Sequence, residues 1–372
     1  MTPLAASRAS RSLRPASRRE SAHAARPHDR PRTPRSLRWF LLWLIGFYAS
    51  WATFVVASGA WPRVAEHWGI AAAMLAGSYV AGSTPMGGGT VGFPILVLVF
   101  DQSASLGRDF GFAIQSIGMT SASIFILCTG RPLERRLLCW AMLGSLLATP
   151  PAVVWLAPHV DERVMKMLFA VVWGSFGIMH LVKLNEICAA SGMTRTSAAF
   201  DRTAGLLIGI VGGGLIASLT GVGIDMLLYV VLVLLARADL KIAIPTSVVI
   251  MAWTSLLGIS TLFALSRLAP AGWTPDPELS GSWLAAAPVV ALGAPFGAFV
   301  VNLIGRKPTL LFVSVLCLVQ FGWMAWSERA SLGGAGLALS LAGLLAFNAA
   351  FHVMHALGLR LERRQGHIER LA

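Results

Sequence analysis

Two glycine-rich stretches carry residue types whose spacing suits the binding of an anion. The first contains Gly87, Gly88 and Gly89, followed by Thr90 and then by Pro94. Glycines let a ligand approach backbone N–H groups, and the N-terminus of a helix carries about half a positive charge. Pro94 suits the first turn of a following helix, where its missing N–H would have no partner anyway. We therefore expect Gly87 to Thr90 to present N–H groups to an anion; the alternative is that the glycines only allow close helix packing.

The second stretch contains an acidic residue in apolar surroundings. It begins with three glycines at 212–214 and continues through Thr220, Gly221 and Gly223 to Asp225. Asp225 is the carboxylate that the sequence places well inside an apolar region, where a charge is costly and is functional by default. Two roles stay open. Asp225 carries a coupling proton, or it caps the half-helix that follows, since Asp is favoured at helix N-termini.

Each stretch is followed by a pair of polar residues that opens the next apolar span. The pairs are Gln115 with Ser116 and Thr246 with Ser247. Short hydroxyl and amide side chains can donate hydrogen bonds to a sulfonate or carboxylate without adding a buried charge. The alternative is that they bond to the backbone of their own helix. No cluster of acids, bases or metal ligands accompanies them, so we predict no metal, no cofactor and no enzymatic activity.

The composition places these residues in a membrane. Of the 372 residues, 56% are hydrophobic and 13% are charged, whereas a soluble domain carries roughly 25% charged residues. Apolar runs of the length that crosses a bilayer recur along most of the chain. Much of the net charge of +13 lies in the first 38 residues and in the loops, where it sets orientation and does not indicate nucleic acid. The predicted fold class is an all-α polytopic membrane protein.

The chain begins with a basic segment and an extra membrane helix. Residues 1–38 are rich in Arg, Ser, Ala and Pro, a composition that cannot form a core, so we expect disorder on the cytoplasmic side. Residues 39–58 are apolar and long enough for a retained transmembrane helix. At the other end of the chain, we predict a basic cytoplasmic tail at 358–372. Further full spans are predicted at 110–128, 137–157, 164–183, 243–266, 282–304, 309–326 and 333–357.

Two other apolar regions, 69–100 and 203–236, are interrupted by the glycine stretches. Basic residues mark cytoplasmic loops, and the full spans fit that rule only if each interrupted region returns to the side from which it came. The first region then opens outside and the second inside. Hairpins of opposite orientation are typical of an inverted repeat. We therefore predict one hairpin-plus-bundle repeat over 69–183 and an inverted one over 203–357, with the two breaks meeting near mid-membrane.

The sequence places no Arg or Lys at mid-membrane. Arg108 and Lys241 stand at comparable places beside the two hairpins. Two interpretations are open for them: they mark the membrane interface, or they draw anions toward the site.

The motifs of both stretches resemble a known family of membrane transporters. The glycines at 87–89, with Pro94 after them, are similar to the glycine cluster of the sulfite exporter TauE/SafE family, and residues 221–223 resemble it less closely. The polar motif of the helix that follows in that family looks like Thr246-Ser247, and Gln115-Ser116 takes the corresponding place. The resemblance covers roughly residues 69–357.

Membership of this family would imply transport of sulfur-containing or organic anions such as sulfite, sulfonates or sulfoacetate. The sequence departs from the family pattern at Pro85, Ile224 and Asp225, which stand where glycine is common. The extra N-terminal helix is another departure. The substrate therefore should not be copied from any one member.

We predict a secondary transporter that moves such an anion across the inner (plasma) membrane by alternating access, with both termini cytoplasmic. As partners we expect the small anion and the lipid bilayer but no nucleic acid, and a homodimer is left open. The alternatives are an anion channel of the same architecture, a membrane-embedded enzyme, and a sensor or assembly partner. The predicted substrate contacts, with Asp225 as coupling residue or helix cap, are Gly87, Gly88, Gly89, Thr90, Gln115, Ser116, Thr220, Gly221, Gly223, Thr246 and Ser247.

Overall fold

Helices make up nearly all of the structure, a computed structural model that describes residues 37–194, 196–268, 274 and 276–371. No β-strand occurs in these ranges. Nine helices among the described residues are long and apolar enough to cross a membrane. The prediction of an all-α polytopic membrane protein is therefore confirmed. The predicted disordered segment 1–38 lies outside the described residues except for positions 37 and 38.

The helices begin a few residues before the predicted spans, because polar residues in their first turns lie outside the apolar runs. Parts of α4, α6, α8 and α9 are wound as π-helix. In chain order the helices are α1 (Arg38–Ala57), α2 (Trp61–Glu66), α3 (Trp68–Ser83), α4 (Gly89–Val99), α5 (Ala104–Cys128), α6 (Arg135–His159), α7 (Glu162–Ala189), α8 (Ala198–Thr220), α9 (Ile224–Leu235), α10 (Leu240–Leu268), α11 (Pro277–Ile304), α12 (Arg306–Ser327) and α13 (Arg329–Leu371).

The first interrupted region folds into a helical hairpin made of α3 and α4. Its turn, residues 84–88, is termed tip 1. A Cβ built on Gly77 would lie 3.3 Å from the carbonyl oxygen of Gly88, near the tip. At the other end, a Cβ on Gly69 would lie 3.1 Å from the ring of Phe100. The two arms therefore run antiparallel, and the chain returns to the side from which it came.

The second interrupted region forms a hairpin from α8 and α9, with residues 221–223 as tip 2. A Cβ built on Gly223 would lie 2.7 Å from Cγ2 of Ile216 on the opposite arm. The base of this hairpin is closed by the backbone amide of Thr194, which donates to the carbonyl of Ala236 at 2.8 Å. The arms are unequal in length, since α8 has 23 residues and could cross the membrane whereas α9 is a shorter apolar helix.

The two hairpins open at opposite ends of the helix bundle. α4 leads directly into α5, and α9 leads directly into α10. α5 and α10 run antiparallel: Gly258 of α10 packs on the ring of Phe112 near the start of α5, and Thr246 accepts a hydrogen bond from the amide of Glu134, beyond the end of α5, at 3.0 Å. The open end of each hairpin, termed its mouth, adjoins the start of one of these helices. Since α5 and α10 run antiparallel, the two mouths lie at opposite ends of the bundle.

Each hairpin packs its long arm on a helix from the other half of the chain. A Cβ on Gly82 of α3 would overlap the carbonyl of Ala294 on α11, and one on Gly209 of α8 would overlap the carbonyl of Ala141 on α6. Backbones approach this closely only where side chains are absent. α5 packs with α10, and α7 packs with α12. Such an exchange of partners is what an inverted repeat produces; the repeat itself stays a prediction.

Substitution of Gly209 by Leu should destabilise the folded protein, because the new side chain would be forced into the backbone of α6. Overpacking costs about 1–3 kcal/mol in well-packed cores, and contact with rigid backbone places this site at the upper end. A Cβ on Gly46 of α1 meets nothing within 4 Å, so Gly46→Leu is the matched control. Thermal unfolding in detergent measures both variants; equal melting temperatures would contradict the packing described.

Candidate functional site

The tips of the two hairpins touch each other and α5 inside the bundle. A Cβ placed on Gly89, the first residue of α4, would overlap Cγ1 of Val222 in tip 2. A Cβ placed on Gly111 of α5 would lie 3.2 Å from the carbonyl oxygen of Gly221. We term this contact region, formed by tip 1, tip 2, the start of α4 and residues 108–115 of α5, the junction. The junction is packed, so a ligand can enter it only if the tips separate.

Gln115 lies between the two tips. Its Nε2 donates to the carbonyl of Gly221 at 3.2 Å and to that of Gly111 at 3.3 Å. Its Oε1 is buried without a hydrogen-bond partner among the described residues, and a Cβ on Gly87 of tip 1 would overlap this oxygen. The amide side chain thus spans the junction with an unused polar atom, as expected for a group that orients a ligand.

At the start of α4, next to tip 1, two backbone N–H groups have no hydrogen-bond acceptor among the described residues. The amide of Thr90 donates to Gly87 at 3.0 Å and that of Val91 donates to Gly88 at 3.1 Å. No hydrogen bond from the amides of Gly88 or Gly89 occurs in the described part of the chain. The expectation that Pro94 begins the half-helix is wrong, because α4 already begins at Gly89. The donors of Gly88 and Gly89 therefore stand at the true helix start.

Tip 2 is the only true interruption of the second region within the described residues. The predicted break at 212–214 is wrong, because these glycines lie in the π-helical part of α8. They serve packing instead: a Cβ on Gly212 would lie 3.2 Å from Cα of Ile224. The chain leaves helical geometry at Gly221, with φ of 75°, and at Gly223, with φ of 106°. Both angles lie in the left-handed region, which glycine adopts at no steric cost.

Asp225 is fully buried in the first turn of α9. Its Oδ1 accepts the backbone amides of Gly223 at 3.2 Å and Met226 at 3.0 Å. Its Oδ2 completes no hydrogen bond of normal geometry, although the Gly87 amide of tip 1 lies close enough to interact with the carboxylate. The N-cap of α9 is Gly223, so Asp225 is not itself the N-cap, but its Oδ1 satisfies two backbone amides at the start of the helix. The contact with Gly87 brings the carboxylate into the junction.

Two residues that sequence reasoning missed also support the junction. Trp173 of α7 donates its indole N–H to Oγ1 of Thr90 at 3.0 Å, and a Cβ on Gly223 would lie 3.2 Å from the indole ring. Gln320 of α12 donates to the carbonyl of Thr90 at 3.1 Å, and its Oε1 is buried without a partner among the described residues. The signal for Gln320 was available, since an amide inside an apolar span is functional by default.

Arg108 is buried beside tip 2. Only 6% of its surface is exposed, and a Cβ on Gly221 would overlap its carbonyl oxygen. Its Nε pairs with Oδ1 of Asp109 at 2.7 Å, so Asp225 is not the only buried carboxylate. Lys241, in contrast, is exposed. Both residues lie near the start of the helix that follows a hairpin, as predicted, but they differ in burial, and only the backbone of Arg108 packs against a tip.

The remaining predicted contacts are hydrogen-bonded locally. The Thr220 hydroxyl lies 2.9 Å from the carbonyls of both Ile216 and Val222 and so holds tip 2. Ser116, Thr246 and Ser247 donate to carbonyls of their own helices, those of Ala113, Ile242 and Ala243. The hydroxyls of Ser116, Thr246 and Ser247 therefore make no hydrogen bond to either tip. The predicted residues that the structure does bring to the junction are Gly87, Gly88, Gly89, Thr90, Gln115, Thr220, Gly221, Gly223 and Asp225.

The polar groups at the junction are backbone amides and amide side chains. Among the described residues no group of three or more His, Cys, Asp or Glu side chains could hold a metal ion. Backbone amides of tip 1 and the side chains of Gln115 and Gln320 meet in the region instead. A separate cleft of about 320 Å³ lies at the mouth of the first hairpin, lined in part by Glu66, His67 and Glu278, and is not part of the junction.

Fold and junction define a polytopic membrane protein in which two opposed hairpins present glycine tips to each other. The sequence profile of the family described as Sulfite exporter TauE/SafE matches residues 69–324, a range that covers more than half of the chain and both tips. The chain therefore belongs to the TauE/SafE sulfite exporter family, a family of membrane transporters. Neither the curated proteins nor the solved structures that were compared contain a match to the chain.

Cysteines placed at Gly89 and Val222 should form a disulfide, because the added Cβ of residue 89 falls against the side chain of residue 222 and a disulfide requires Cβ atoms about 3.5–4.5 Å apart. The experiment uses a background in which the four native cysteines are replaced. Mild oxidation followed by peptide mass spectrometry detects the bond. A pair at Gly46 and Val222 is the control; no bond between 89 and 222 would show that the tips do not meet.

Proposed function

We propose that the protein is a secondary transporter that moves a small sulfur-containing or organic anion, such as sulfite or a sulfonate, by alternating access. The observation that carries the proposal is the junction, where two glycine tips from opposite ends meet around Gln115. Secondary transporters built from broken helices bind their substrates at such places, between half-helices near the bilayer midplane. Membership of a transporter family gives the general class independently.

The polar groups at the junction favour an anion as the ligand. The amides of Gly88 and Gly89 are unused and stand at the start of a helix, where the backbone dipoles favour negative charge. Arg108 is buried beside tip 2, but its guanidinium is paired with the carboxylate of Asp109 and adds no net positive charge there. Asp225 opposes an anion, but its Oδ1 is occupied by two backbone amides. Sulfite and sulfonates offer several oxygen acceptors to such donors at once.

The arrangement of the hairpins supports alternating access. Their mouths lie at opposite ends of the bundle while their tips share one contact region. Withdrawal of one tip would open the junction toward one side while the other tip stays closed. The exchanged packing of α3 on α11 and of α8 on α6 supports the inverted repeat that such a movement uses.

We infer the orientation from the distribution of basic residues. Arg131, Arg135 and Arg136 follow the end of α5, and Arg306 and Lys307 begin α12. Basic loops face the cytoplasm, which places the mouth of the second hairpin inside and that of the first outside. In this orientation the protein is a multi-pass protein of the inner membrane with both termini in the cytoplasm, and its partners are the small anion and the lipid bilayer.

An anion channel is the main alternative, since it could use the same junction without alternating access. A carrier gives saturable flux that is accelerated by substrate on the opposite side, whereas a channel does not. A membrane-embedded enzyme would need acid, base or metal-ligand groups clustered at one depth. We propose a transporter without enzymatic activity because the family consists of membrane transporters.

Replacement of Gly88 or Gly89 by Leu should abolish transport while the protein still inserts, because a side chain at residue 88 would press on Met74 of α3 and one at residue 89 on Val222 of tip 2, so that tip 1 and its amides are displaced. Reconstituted vesicles are loaded with labelled sulfite or an alkyl sulfonate, and flux is measured with and without a pH gradient. Gly46→Leu adds the same side chain in open space and should leave flux unchanged. Normal flux in the Gly88 and Gly89 variants would rule out the backbone site.

Replacement of Asp225 by Asn should preserve transport, whereas replacement by Ala should reduce it. The amide oxygen of Asn can still accept from Gly223 and Met226, while Ala leaves these buried amides without an acceptor, at a cost of about 1–3 kcal/mol. Flux of both variants is compared at several pH gradients, with thermal stability measured alongside. If the Asn variant transports but no longer responds to a gradient that drives the native protein, the carboxylate carries the coupling proton and the cap interpretation fails.

A further inference from the structure

A cleft at the first turns of α6 and α8 lies apart from the junction and has no role in the proposed transport. Its volume is about 440 Å³. α8 carries tip 2 at its far end, so the cleft sits at the base of the long arm of the second hairpin. The residues that line it are Arg136, Trp140, Ala198, Ala199, Asp201 and Arg202.

Arginine side chains from two different helices line this cleft. Arg136 and Arg202 are both exposed, and neither side chain forms an ion pair within the described ranges. The one acidic residue in the lining, Asp201, is buried, and its carboxylate accepts the hydroxyl of Thr196. The cleft therefore carries two unpaired cations and one carboxylate that is already engaged, an excess of positive charge that favours an anionic ligand.

The wall between the two arginines is apolar. Trp140 is half-buried, and its Cβ would lie 2.6 Å from a Cβ on Gly205, so α6 and α8 are in close contact immediately behind the cleft. Ala198 and Ala199 are exposed at the start of α8. Tryptophan at the end of a membrane helix is typical of the interface between headgroups and acyl chains.

Exposed apolar side chains continue from the cleft along both helices. They lie on the surface that a bilayer would cover, since α6 and α8 are both long and apolar enough to span a membrane. On α6 and α8 these side chains are Leu143, Leu146, Leu147, Leu207, Ile210 and Val211. A ligand that fits a basic pocket at one end and this apolar track beyond it must be an amphiphile with an anionic head.

We propose that this cleft binds an anionic phospholipid, with the headgroup phosphate between Arg136 and Arg202 and an acyl chain along the track on α6 and α8. Basic pockets between membrane helices on the cytoplasmic side bind acidic headgroups in this way. A soluble anion would use the arginines but not the track. A lipid bound here would hold α6 against the base of α8, and so would favour one position of the second hairpin.

The test uses the full chain, purified in detergent and supplied with phosphatidylglycerol, phosphatidylcholine or inorganic phosphate. Native mass spectrometry counts bound lipid, and thermal unfolding reports stabilisation. We expect binding of phosphatidylglycerol at roughly tenfold lower concentration than phosphatidylcholine, because two cations act on a headgroup of net negative charge. The double variant Arg136→Gln with Arg202→Gln should lose this preference and the associated stabilisation.

The matched control is the double variant Arg135→Gln with Arg360→Gln, which removes the same charge from positions that do not line the cleft. It should bind phosphatidylglycerol as the native protein does. Equal binding of the two lipids, or an equal loss in both double variants, would overturn the proposal. Stabilisation by inorganic phosphate alone, to the same extent and through the same two arginines, would assign the cleft to a soluble anion and also overturn it.

Discussion

The structure depends on the requirement that main chain without regular hydrogen bonds stay out of the lipid. Each unsatisfied backbone group costs several kcal/mol in hydrocarbon. The protein has two such places inside apolar surroundings, and each covers the other: Gly89 rests on Val222, and Gln115 donates to the carbonyl of Gly221. Neither tip would be stable alone, so the two hairpins have to be held with their tips in contact.

The contact of the tips is imposed by the helices that carry the hairpins. α3 lies on α11, and α8 lies on α6, at positions where glycine lets backbones touch. Because packed backbones cannot slide past each other without separating, these pairs fix how deep each tip reaches. The unused donors of Gly88 and Gly89 are then held in a fixed direction inside a dry environment, where an interaction with a charge is stronger than in water.

The sequence was sufficient for the membrane class, for two opposed hairpins and for several residues of the junction, because glycine clusters and proline inside long apolar runs strongly favour an interrupted helix. It could not separate glycines that break a helix from glycines that pack it. Residues 212–214 and 221–223 are both glycine-rich, yet only Gly221 and Gly223 have left-handed backbone angles. That difference arises from α6 and α9, which pack against the first group and keep it wound.

The burial and the hydrogen-bond partners of individual side chains were also beyond sequence reasoning. The sequence placed Arg108 beside a hairpin, whereas its burial and the contact of its backbone with Gly221 exist only after α5 and tip 2 have come together. Conversely, Thr246 and Ser247 matched the motif but turn their hydroxyls to their own helix. The position of a residue in a motif predicts which helix it occupies. The direction in which its side chain points is decided by tertiary packing.

Trp173 gives the two tips a common support. Its indole N–H is bonded to Thr90, directly behind tip 1, while its ring lies against Gly223 of tip 2. Displacement of either tip must therefore disturb the same side chain, which is itself stacked on Phe169 and fully buried. A single indole in this position is a shared anchor: withdrawal of one tip must break one of its two contacts, while the other contact can hold the remaining tip in place.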